Sequence, residues 1–81
     1  MSSILLVEDE FSIRNALTSF FAGAGHSVEA LASGMEGVQR AVQGELDLVV
    51  LDLGLPDVDG SEVLKMIRAV SSVPVIVATA R

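Results

Sequence analysis

Asp52 stands at the end of an apolar run, Asp47-Leu48-Val49-Val50-Leu51, and opens a turn-rich stretch, Leu53-Gly54-Leu55-Pro56-Asp57-Val58-Asp59-Gly60. A second acidic group, Glu8-Asp9-Glu10, follows another such run, Ile4-Leu5-Leu6-Val7. Two aliphatic strands that both end in carboxylates place an acidic cluster at one edge of a parallel sheet. Carboxylates so close together repel one another, and a hard dication relieves that repulsion. Carboxylate, carbonyl and water oxygens suit Mg²⁺. Such an ion would also neutralise an incoming phosphoryl group, so that an aspartate could attack it.

The elements that must hold these residues follow from periodicity. Residues 4–7 and 48–51 read as strands buried on both faces, because they are short, aliphatic and not alternating. Ile13, Ala16, Leu17, Phe20 and Phe21 form one apolar face of a helix over about 12–22, with Gly23 and Gly25 as terminators. Residues 27–31 alternate around Glu29 and read as an outer strand. Ser33 with Glu36 fits a capping box that starts a second helix, with Met35, Val38 and Val42 inward, ending near Gly44. Asp59 with Glu62 caps a third helix, with Val63, Leu64, Ile67 and Val70 inward. Pro74 opens a last strand over 75–78, tolerated at the first strand position. The order βαβαβαβ implies a parallel sheet with right-handed crossovers. In such sheets ligands bind outside the carboxyl ends of the strands, where the strand order reverses. Glu8, Asp9, Asp52 and Thr79 all fall at such ends.

Composition narrows the functions further. The chain has 81 residues, 51% of them hydrophobic, and a mean hydropathy of +0.59. A chain this short leaves much surface to cover, burying about 60–65% of what it exposes when unfolded. It therefore reads as part of a larger fold. The net charge of −6 disfavours direct binding to nucleic acid. Without cysteine there is neither a disulfide framework nor a thiolate metal site. No apolar run approaches the roughly 18 residues of a membrane span, and the N-terminus lacks a basic leader. A cytoplasmic location follows by default.

Three stretches together resemble the first two-thirds of a bacterial response-regulator receiver domain. They are Ile4-Leu5-Leu6-Val7-Glu8-Asp9-Glu10, then 51–60 from Leu51-Asp52 to Asp59-Gly60, then Pro74-Val75-Ile76-Val77-Ala78-Thr79-Ala80-Arg81. The fold implied is α/β, a flavodoxin-like (CheY-like) doubly wound parallel sheet, truncated after the fourth strand. The Asp52 loop and the closing Thr79-Ala80-Arg81 resemble the winged-helix transcription-factor (OmpR/PhoB-like) branch. The resemblance implies that Asp52 accepts a phosphoryl group from a sensor histidine kinase. It implies that Asp9 and Asp52, with Glu8 largely through water and the backbone carbonyl of Gly54, hold Mg²⁺. It also implies that Thr79 supplies a switch hydroxyl and Ala80 a backbone contact to the phosphoryl group. DNA would be reached through an output domain outside these residues, and no membrane contact is implied.

The chain departs from the family pattern in several places. The first acidic position is glutamate, and Gly54 supplies no side chain over the phosphoryl group. The family's lysine after a fifth strand has no counterpart, since Lys65 falls on the third helix. The fourth helix, fifth strand and fifth helix are absent too, which exposes the last strand as an edge and uncovers part of the face lined by Leu17 and Phe21. The isolated 1–81 peptide is accordingly expected to be partly unfolded, to pair with a second copy, or to be completed by another segment of chain. Two other functions compete. One is a phosphohydrolase with an aspartyl nucleophile, which would need a second acid where Gly54 stands. The other is a non-signalling half-domain. Among the remaining motifs, Asp57-Val58-Asp59-Gly60 lacks the spacing of a calcium loop and reads as loop plus helix cap. Pro56 reads as a turn stiffener, His26 as a surface turn residue, and Phe20 and Phe21 as core.

Overall fold

The computed structural model describes residues 2–52, 54–55 and 57–78. The positions assigned to the switch, Thr79, to the phosphate contact, Ala80, and to the stiffened turn, Pro56, lie outside the described residues. Among the described residues seven elements follow one another: β1 (Ser3–Val7), α1 (Phe11–Gly23), β2 (Ser27–Leu31), α2 (Gly34–Val42), β3 (Leu48–Leu51), α3 (Gly60–Val70) and β4 (Val75–Val77). The strands pair in parallel in the order β2-β1-β3-β4. This is the βαβαβαβ doubly wound sheet expected from the sequence.

β1 and β3 each pair on both edges, and their uninterrupted aliphatic runs allow both faces to be covered. Leu5, Val7, Val49 and Leu51 point to one face, where they join Ala41 of α2 and Val63 and Ile67 of α3. Ile4, Leu6 and Val50 point to the other, under Leu17 and Phe21 of α1. Fully burying one such aliphatic side chain contributes about 1.5–3 kcal/mol, so these two strands are the platform on which the loops beyond them are built.

The helices meet the sheet differently from the periodicity reading. In α2, Met35 and Val42 are exposed (42% and 60%), while Gly34, Gly37 and Ala41 face inward and Val38 packs beside them. The cause is close approach. A Cβ on Gly37 would lie 2.8 Å from Val7 Cγ2, and one on Gly34 would lie 2.6 Å from Val63 Cγ2. The smallest residues therefore define the contact face. In α1, Leu17 and Phe21 pack as expected, but Phe20 is 69% exposed and makes an edge-to-face contact with Phe21, the centroids 5.5 Å apart. It is not core, because α1 covers its face of the sheet alone among the described elements and buries a narrow stripe. Its N-cap is Glu10, whose carboxylate accepts from the Ile13 N–H. In α3, Val63, Leu64 and Ile67 pack inward, but Val70 is exposed. It is the last helical residue, and the chain turns extended at Ser71. His26 is half-buried rather than a free surface residue, and its Nδ1 accepts from the Ser2 N–H.

β4 ends at Val77, one residue earlier than expected, although the Ala78 N–H still donates to the Leu51 carbonyl at 2.9 Å. Among the described strands β4 pairs with β3 alone, and Ile76 and Val77 remain exposed.

The tight α2–β1 contact gives a stability test. In Gly37→Ala the new methyl must displace the buried Val7, at an overpacking cost of about 1–3 kcal/mol. That outweighs the roughly 1 kcal/mol by which alanine is favoured over glycine in a helix interior. Gly23→Ala, where a Cβ meets nothing within 4 Å, should be neutral or stabilising. Chemical denaturation of the full-length protein should rank Gly37→Ala below wild type and Gly23→Ala level or above. A raised midpoint for Gly37→Ala would refute the close approach.

Candidate functional site

β1 is the point where the strand order reverses. α1 carries the chain from β1 to β2 on one side, and α2 returns it past β1 to β3 on the other. The carboxyl ends of β1 and β3 therefore open side by side with no crossover between them, the position where doubly wound sheets bind ligands. The register places Val7 opposite Leu51, so that Glu8 and Asp9 leave one strand beside Asp52 leaving the other. The ladder extends one step past each strand: the Asp52 N–H donates to the Val7 carbonyl and the Glu8 N–H to the Leu31 carbonyl, both at 3.0 Å.

Glu8, Asp9 and Asp52 each present a carboxylate oxygen, and these atoms all lie within 4.8 Å of one another. Glu8 and Asp52 are 4% and 2% exposed; Asp9 is half-buried. The Glu10 N–H donates to Glu8 Oε2 at 3.0 Å, and the exposed Gly54 donates its N–H to Asp52 Oδ1 at 3.2 Å. Burying carboxylates together costs free energy unless the charge is compensated. An all-oxygen donor set that is strongly negative and opens at a loop edge fits a small hard dication such as Mg²⁺.

Three sequence-assigned ligands are thus brought together, and Gly54 lies in the loop that leaves Asp52. Lys65 lies on α3, exposed and 3.5 Å from Glu62, outside the cluster. The sequence reading missed Arg14. Its guanidinium donates to the carbonyls of Glu8 (3.0 Å) and Asp9 (3.2 Å) and sits 5.6 Å from the Phe11 ring centroid, bracing the β1–α1 loop. No local spacing rule marks an arginine on a first helical turn as a brace for carbonyls behind it. Also missed was Asp57, read as part of a loop and a cap. Its Oδ1 accepts from the Gly34 N–H at 2.9 Å and its Oδ2 from the Met35 N–H at 3.0 Å, so that it caps α2 from a distant loop. These two bonds hold its carboxyl below the usual 3.8, and the Ser61 N–H does the same for Asp59 at the start of α3. Both values are lowered, so the stability these caps add is present above about pH 4 and is lost as pH falls through the lowered values.

Comparison with known proteins agrees with this fold. The chain belongs to the response regulator receiver domain family, whose profile matches residues 4–81. It is 43% identical over 81 residues to the transcriptional regulatory protein AfsQ1 of Streptomyces coelicolor, covering 100% of this chain and 36% of that protein. The chain thus spans about a third of the length of the curated relatives it matches. Among solved structures, the response regulator TrrA of Thermotoga maritima in complex with Mg²⁺-BeF superposes with a TM-score of 0.94 at 33% identity, over 100% of this chain and 71% of that one. TrrA in complex with the histidine kinase ThkA matches with a TM-score of 0.91 at 33% identity, over 99% of this chain and 70% of that one. Among the described residues no helix is long and apolar enough to cross a membrane.

Crowded carboxylates should destabilise the metal-free fold. Asp9→Asn removes one of the mutually repelling charges. It should raise the stability of the full-length protein in chelator by about 1–4 kcal/mol, the Coulomb energy of two unit charges near 4 Å between the bulk-water and near-surface dielectric limits. The gain should shrink at high ionic strength. Denaturation in EDTA at low and high salt measures it, and a loss of stability at low salt would contradict the repulsion.

Proposed function

We propose that Asp52 is the phosphoacceptor of this receiver and that Glu8, Asp9, Asp52 and the Gly54 carbonyl hold Mg²⁺ beside it. The observation that carries this reading is the convergence of three carboxylates at the strand switch point, with Asp52 almost fully buried at the end of a central strand. An Asp52 oxygen attacks the phosphorus of a kinase phosphohistidine. The P–N bond breaks, its electron pair returns to the imidazole, and a carboxyl-phosphate anhydride forms on Asp52. Mg²⁺, when bound, offsets the charge gathered where carboxylate and phosphoryl group meet. The Gly54 N–H bond to Asp52 Oδ1 orients the carboxylate before attack, and the Arg14 brace holds the Glu8-Asp9 loop against repulsion.

The wider reading follows from the relatives. Residues 1–81 form the first part of a receiver in a longer regulator, its fourth helix, fifth strand, fifth helix and output domain being supplied elsewhere in the full-length protein. Thr79 then moves its hydroxyl toward the phosphoryl oxygen, and Ala80 contacts it through the backbone. The partners are a sensor histidine kinase, a second receiver copy and, through the output domain, DNA in the cytoplasm. The chemistry is limited to gaining and losing this one phosphoryl group.

The full-length protein should take up one phosphoryl group from acetyl phosphate in Mg²⁺, and Asp52→Asn should take up none. Asp9→Asn should weaken Mg²⁺ binding, measured by calorimetry, by about 1–3 kcal/mol, the scale of a charged interaction lost from a partly buried site. Undiminished labelling in Asp52→Asn, or unchanged Mg²⁺ affinity in Asp9→Asn, would overturn the assignment.

A further inference from the structure

We infer that Asp57 is a positioning residue that ties the two halves of the carboxylate cluster together through α2. The inference rests on the reading that Glu8, Asp9 and Asp52 hold a divalent cation. The loop leaving Asp52 must present the Gly54 carbonyl, and glycine imposes little direction of its own. The loop's near end is fixed by the bond from the Asp52 N–H to the Val7 carbonyl. Its far end is fixed at two points: Leu55, 8% exposed, sits in the core with Val63 and Ile67, and Asp57 bonds both its oxygens to the Gly34 and Met35 N–H groups at 2.9 and 3.0 Å.

Those N–H groups belong to the first turn of α2, which has no intrahelical acceptor for them. α2 in turn lies against β1, Gly37 meeting Val7 directly before Glu8. The loop after Asp52 is therefore referenced to the strand that delivers Glu8 and Asp9. Gly34 is the crossing point, where an added Cβ would stand 2.6 Å from Val63 Cγ2, 3.3 Å from Leu55 Cδ1 and 3.4 Å from Asp57 Oδ1. A larger residue there would push the loop off the helix.

Ser33 supplies the control. It caps the same helix from the opposite connection, its Oγ accepting from the Glu36 N–H at 3.3 Å and donating to Glu36 Oε1 at 2.9 Å, with no side-chain hydrogen bond to the described residues of the Asp52 loop. Both Ser33→Ala and Asp57→Ala remove a cap of α2, and both should lower the thermal midpoint of the full-length protein. Titrated with MgCl₂ well below either midpoint, Asp57→Ala should raise the Mg²⁺ dissociation constant about 10-fold, the low end for groups that orient metal ligands from behind. Ser33→Ala should shift it by less than about twofold, since it weakens the helix and not the loop. Asp57→Asn keeps one acceptor oxygen and should fall between wild type and Asp57→Ala. Unchanged Mg²⁺ affinity in Asp57→Ala, or an equal loss in Ser33→Ala, would overturn the inference while leaving the metal site standing. A wild-type protein that binds no Mg²⁺ would remove the site and this inference with it.

Discussion

The carboxylate cluster depends on the parallel register between β1 and β3, in which Val7 stands opposite Leu51. Side chains alternate with a period of two, so a slip of one residue would send every inward side chain of a strand to the other face. Here both faces are buried, and both would object: Leu5, Val7, Val49 and Leu51 serve one core and Ile4, Leu6 and Val50 the other. The aliphatic packing thus holds the strand ends level, and Glu8, Asp9 and Asp52 meet because the residues behind them cannot shift. Their convergence is unfavourable in itself. It persists because the strands that impose it are the best-buried part of the molecule.

The loops around the cluster are fixed largely by polar bonds, with Leu55 adding one packed anchor after β3. Arg14 spends two donors on the Glu8 and Asp9 carbonyls, and Asp57 accepts the first N–H groups of α2. One bond set pins the loop after β1 and the other the loop after β3. The strands set where the carboxylates are, and the hydrogen-bonded loops around them can adjust at modest cost.

Much of this was legible in the sequence. The two uninterrupted aliphatic runs identified the central strands, and the acidic residues at their ends identified the cluster. The outer strand at 27–31 was visible in its alternation. What failed was the inner face of α2. Met35 and Val42 lie at helical spacing, but Gly34, Gly37 and Ala41 touch the rest of the protein, because contact distance and not hydropathy decided the face. Phe20 failed for a related reason, since α1 has no described neighbour on its flank to cover a second aromatic ring. Arg14 and Asp57 were illegible because their partners are backbone groups, those of Asp57 on an element far away in sequence, and composition carries no trace of such bonds.

Paramagnetic mapping with Mn²⁺ in place of Mg²⁺ tests the central claim most directly. Backbone amide signals of the full-length protein would be followed as trace Mn²⁺ is added. Broadening should appear first and most strongly at Glu8, Asp9, Asp52 and Gly54, with the exposed acidic residues Glu36, Glu62 and Asp59 affected only at higher ion concentration. Broadening that begins at those surface carboxylates and leaves Asp52 and Asp9 sharp would contradict the account.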